Sequence, residues 1–152
     1  MVLRVIVAGI VGAIVSFVLG WVIFGMLLAN YFASTMTPTA KAVMSAEPRM
    51  MPLIAAQLGY GFFFAFVLEK WAGARSIVSG AVAGAIMGFS MSAIYDLMTD
   101  AFTVNMHIGA NTPVMLVDIA AATFLGLCIG AAEGIVLGMM SKGGGSPAEA
   151  AA

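Results

Sequence analysis

An all-α membrane protein, built as a bundle of four transmembrane helices, is the fold class this sequence predicts, and three observations predict it. Of 152 residues, 62% are hydrophobic and only 9% are charged, whereas a soluble domain carries about 25% charged residues. Mean hydropathy is +1.10. The apolar residues gather into four stretches, at about 5–32, 52–71, 76–98 and 113–140. A helix needs roughly 20 residues to cross a bilayer at about 1.5 Å per residue. Too few charges exist to cover a water-facing surface, so hydrocarbon is the expected solvent. The length suits one compact domain, residues 1–141, with a flexible cytoplasmic tail at 142–152.

The first stretch is about twice as long as the 7–15-residue core of a signal peptide, which predicts a retained span. It carries Gly12, Ser16 and Gly20 at four-residue spacing. The second stretch opens at Pro52 and crowds Tyr60, Phe62, Phe63, Phe64 and Phe66 into its middle and far half. Those rings are expected to meet lipid or a neighbouring helix; a carotenoid or chlorin pigment is conceivable, but nothing supports one. The third stretch carries Gly80, Gly84, Gly88 and Ser92, and the fourth Gly126, Gly130, Gly134 and Gly138. Glycine costs about 1 kcal/mol in a helix interior, so such stripes imply a compensating contact. In lipid that contact is close helix packing, either within the bundle or against another protein. The tail, KGGGSPAEAAA, is rich in Gly, Ser and Pro.

Orientation follows from the basic residues. Arg4, Lys70, Arg75 and Lys142 fall on one side of the predicted bundle, and Lys41 and Arg49 on the other. The excess predicts that both termini lie inside. A net charge of −1 offers nothing to nucleic acid, which requires a basic face. The chain holds one cysteine, Cys128. It excludes an internal disulfide and reads as a small core residue.

An internal repeat is also visible. Gly12-Ala13-Ile14-Val15-Ser16-Phe17 parallels Gly84-Ala85-Ile86-Met87-Gly88-Phe89, and each even span has a proline (Pro52, Pro113) followed five residues later by a polar residue (Gln57, Asp118). Two parallel-repeated helical hairpins would have this pattern.

The acids carry what chemistry the chain has. Asp96 and Asp100 continue the four-residue series of the third span, Asp118 lies near the start of the fourth, and Glu133 lies deeper along it. A charged side chain at the centre of a span costs at least about 2.5–3.5 kcal/mol, so intramembrane acids are functional suspects. With Gln57, Asn30 and Tyr95 they form either a polar cluster tying helix ends together or a cation or proton site. Thr112 and Pro113 are expected to start the fourth helix and favour Asp118 near its N-terminus. His107 lies in the third connection with Asn105 and Asn111; it is expected to be solvated, and no metal site is predicted. No nucleophile–base set, phosphate loop or dinucleotide motif is present, so no catalytic residue is assigned.

The segments Ala93-Ile94-Tyr95-Asp96-Leu97 and Leu116-Val117-Asp118-Ile119-Ala120 resemble paired elements of small bacterial inner-membrane proteins in domain-of-unknown-function families. Gly20-Trp21 with Phe24-Gly25 is similar to an element of their first helix. The likeness covers 80–138 better than the first hairpin. It implies four spans, a bacterial inner-membrane location and attention to Asp96 and Asp118, and it carries no activity. The reading expected from the residues is a non-enzymatic membrane subunit, without a cofactor, contacting lipid and packing with other integral membrane subunits or with itself. The alternative is a small oligomeric ion- or proton-coupled transporter or channel using the intramembrane carboxylates.

Overall fold

The computed structural model describes residues 1–45, 47–103, 107 and 111–142. Asn105 and the tail beyond Lys142 lie outside the described residues. Among the described residues there are six helices and no strand, only an isolated bridge between Met36 and His107. Helix α1 spans Val2–Gly20 and runs on through a π-helical turn, Trp21–Leu27; α2 is Ala29–Thr35 and α3 is Pro38–Val43. Helix α4 spans Met50–Val67 and ends in a second π-helical turn, Leu68–Ala72; α5 is Ile77–Phe102 and α6 is Thr112–Lys142.

Four segments are long and apolar enough to cross a membrane: Val2–Leu27, Met50–Ala72, Ile77–Phe102 and Thr112–Ser141. Their outward faces are apolar too. Ile86 is 62% exposed and Phe89 54% exposed on α5, which is costly in water and ordinary in lipid. The chain is thus a multi-pass, all-α membrane bundle.

The boundaries depart from the sequence expectation at two places. The first span ends at Leu27 rather than near 32, because Leu28 leaves helical geometry (φ −101°, ψ −4°) after its N–H bonds the Ile23 carbonyl five residues back. Asn30 therefore sits on the short α2, exposed and off the span. The third span continues to Phe102 rather than 98, which carries Asp100 on its last turns. Helix α6 includes Thr112, and the carbonyl of Asn111 accepts from the N–H groups of Val114 and Met115.

The helices meet in the spatial order α4, α1, α6, α5. Helix α4 reaches α5 chiefly through its terminal turn Leu68–Ala72, so the row is curved and open between α4 and α5. One end of the bundle carries Met1 and the tight turn 73–76; we call it the turn end. The other, the loop end, carries α2, α3 and the connection between α5 and α6. Gly73 makes the tight turn: its φ is +58°, a conformation glycine adopts without strain, and the Ala74 N–H caps the Leu68 carbonyl. Ser76 and Ser79 then exchange hydrogen bonds as a capping box that starts α5.

The turn half is densely packed. Ala8, Ala65, Leu68, Ala74 and Leu137 form its core, with Val5, Ala83, Met87 and Val136 against it. Glu69 lies 2.8 Å from the Arg75 guanidinium and 3.8 Å from that of Arg4. Helices α5 and α6 touch backbone to backbone along the glycine stripes. A methyl group at Gly80 or Gly84 would strike the carbonyl of Gly130 or Gly126, and one at Gly138 would strike that of Arg75. Helix α1 meets α4 similarly where Gly61 faces the backbone of Gly9 and Ala13.

Candidate functional site

Both hairpins change character at mid-length. Along α5 the four-residue series passes from Gly88 to Ser92, and the opposing residue on α6 passes from Ala122 to Asp118. The Ser92 hydroxyl donates to Asp118 Oδ2 at 3.0 Å. Along α1 the series reaches Ser16, whose hydroxyl donates to Gln57 Oε1 on α4. Each polar residue five positions after a proline is thus held by a serine of the preceding span. Side chains of this size cannot sit in a backbone-to-backbone seam, so they hold the helices apart.

Beyond these pairs, toward the loop end, the bundle is hollow. A cavity of about 920 Å³ is lined from all four spans and by Pro48 of the first connection. Its walls are mainly apolar and aromatic, with Trp21 and Phe24 on the π-helical turn of α1, Tyr60 and Phe64 on α4 and Tyr95 on α5. Ser16, Gln57, Ser92 and Asp118 are among its polar lining groups. Asp118 is six residues beyond Thr112, about 9 Å along the helix. Helices α4 and α5, which meet chiefly through the turn Leu68–Ala72, supply two of its walls.

The predicted acids separate into three sets. Asp96 belongs with Asp118: its Oδ2 is 3.4 Å from the same Ser92 hydroxyl, so the two carboxyls converge on one serine. One hydroxyl has one proton, so it can donate to only one of them. Asp100, one turn beyond Asp96 and outside the cavity lining, is exposed and accepts from the Asn111 amide nitrogen. Glu133 is on the far side of the cavity floor, fully buried against Gly12 of α1, with neither carboxyl oxygen hydrogen-bonded. Ile129, one turn from Glu133, lines the cavity. Gly20 approaches Leu125.

The aromatics of α4 divide as well. Tyr60 and Phe64 face the cavity, Phe62 covers Gly9, and Phe63 and Phe66 point outward. His107, expected to be solvated, is half-buried with Nδ1 unpartnered, beside Asp96, Asp100 and Asn111 in a pocket of about 50 Å³. Among the described residues no three His, Cys, Asp or Glu side chains assemble as a metal site. Cys128 is free and only half-buried. Sequence reasoning missed Trp21 and Phe24 as site residues, and it read Ser16 and Ser92 as packing positions rather than as hydrogen-bond donors to Gln57 and Asp118.

Comparison with protein-family models, with curated proteins and with solved structures finds no match.

Proposed function

We propose that this chain is a non-enzymatic membrane protein that binds a small amphipathic molecule from the bilayer, in the cavity between α4 and α5. The cavity carries the reading. Its volume of about 920 Å³ falls within the roughly 300–1,000 Å³ typical of small-molecule sites, as does its composition, apolar with a few convergent polar groups. Among the described residues no nucleophile–base pair or metal-ligand set lies at it, and binding or transport is the simpler reading. The basic residues Arg4, Lys70 and Arg75 lie at the turn end, which supports a cytoplasmic turn end in a bacterial inner membrane.

The test is extraction of small molecules from protein purified in mild detergent, followed by mass spectrometry. The expected result is a stoichiometric molecule that is lost when Met91, which lines the cavity, is enlarged by Met91→Trp. An identical extract from both proteins would refute the reading.

One observation favours a second reading, a subunit in a larger membrane assembly. Most stripe glycines are spent inside the chain, but Gly59 on α4 meets nothing within 4 Å. Ala55, one turn earlier, is also exposed. A neighbouring helix packs on such small residues. Pull-down from native membranes tests it: co-purified integral membrane partners support it, and a partner-free protein argues against it.

A further inference from the structure

We propose that the occupant of the cavity is a lipophilic organic cation, its positive charge held at Asp118 and its apolar body lying among the aromatic walls; this rests on the cavity being the binding site. Charge complementarity is the first reason. Asp118 lines the cavity, and among the described residues no Lys, Arg or His does. At the turn end, by contrast, Glu69 is matched by two arginines. Asp118 is matched by a second carboxyl, Asp96, with one serine hydroxyl between them. Two adjacent carboxyls share a proton or take a cation. Asp118 Oδ2 accepts from Ser92, and a carboxylate has further acceptor sites for a ligand.

The second reason is the lining. Trp21, Phe24, Tyr60 and Tyr95 all line the same space. Aromatic faces attract organic cations, and the more so when the site is desolvated. A hydrated metal ion would gain little from these walls, and an anion would meet the Asp118 carboxyl. The volume suits a drug-sized cation rather than a whole bilayer lipid. The source is therefore a free lipophilic ammonium or phosphonium compound.

The experiment measures saturable binding of tetraphenylphosphonium and of tetraphenylborate, ions of the same shape and opposite charge, to the full chain in one detergent. The phosphonium should bind one per chain, at least about tenfold tighter than the borate, a difference of about 1.4 kcal/mol. Asp118→Asn, which keeps an acceptor for Ser92, should weaken phosphonium binding about tenfold or more. Asp96→Asn should weaken it less, and Asp100→Asn, outside the cavity, should not change it. Thermal melts of each variant separate lost binding from lost fold. Equal affinity for the two ions, both abolished by Met91→Trp, would overturn the cation and leave the cavity as a site. No saturable binding of either ion, with identical extracts from wild type and Met91→Trp, would overturn both.

Discussion

The two halves of this bundle are built from the same four helices and do opposite things. In the turn half, glycine and alanine let backbones touch, and Glu69 is matched by Arg4 and Arg75. In the loop half, the same helix faces carry Ser92 opposite Asp118 and Ser16 opposite Gln57, and the helices stand apart around a cavity. The difference teaches where the open space comes from. Lipid supplies no hydrophobic drive to close a gap between helices, so separation is set by the size of the facing residues. A change from small to polar at one register position is enough to turn a seam into a pocket, and both hairpins make that change at mid-length.

The largest effect should come from placing a side chain in the seam. At Gly84 an added methyl group would meet the backbone of Gly126 and Gly130, which has no rotamer to yield. Gly84→Ala should therefore cost about 3 kcal/mol, the upper part of the usual overpacking range, and Gly84→Leu should prevent recovery of folded protein. Thermal melts in detergent measure this. A Gly84→Ala protein as stable as wild type would mean that the turn half is looser than the described geometry, and the contrast between halves would fail.

Next comes Gly12, where the obstacle is a side chain. An alanine there would meet the Glu133 carboxyl, which is buried and unpartnered. Gly12→Ala should cost about 1–3 kcal/mol. Combined with Glu133→Ala it should cost at least 1 kcal/mol less than the sum of the two single changes, since contacting residues couple. Strict additivity in the double-mutant cycle would separate Glu133 from Gly12. If Glu133→Ala leaves phosphonium binding intact, Glu133 belongs to the packed half in function as well as in place.

Enlarging a residue in the hollow half should do far less. Met91→Trp adds volume where space exists, so its melting temperature should stay within the change expected for about 1 kcal/mol, roughly 2–4 °C for a chain of this size. A loss comparable to that of Gly84→Ala would show that the cavity collapses in the membrane. The halves would then be alike.

How much of this was legible in the sequence differs between the halves in the same way. Four-residue glycine spacing has one physical use in a span, so Gly80–Gly130 and its neighbours could be read as packing positions. The loop half depends on registers between helices distant in sequence. Nothing along the chain says that Asp96 and Asp118 converge on Ser92, or that Gly12 faces Glu133, because those pairings are set by how α1, α5 and α6 slide against each other. The helix break at Leu28 was hidden for another reason. Leu27-Leu28-Ala29 is apolar and has no Pro or Gly, so hydropathy continues where the backbone turns. The π-helical turn that precedes it aims Trp21 and Phe24 at the cavity, and composition alone carries no sign of a π turn.

The smallest effect is expected at Gly59, and its smallness is informative. Gly59 is a helical glycine like Gly84, on a span of similar composition, yet an added methyl group would meet nothing within 4 Å. Only intrinsic propensity remains, which favours alanine over glycine by about 1 kcal/mol. Gly59→Ala should therefore leave the isolated protein as stable as wild type or slightly more so. Destabilisation of the purified single chain would mean that a contact is made there which the described bundle lacks. Gly59→Leu extends the test to native membranes. If the α4 face carries a neighbouring helix, leucine should abolish co-purification without changing the melting temperature of the chain alone. If it faces only lipid, neither should change. Glycine at Gly84 is required by a neighbour within the chain, so at Gly59 its requirement, if any is found, must come from outside it.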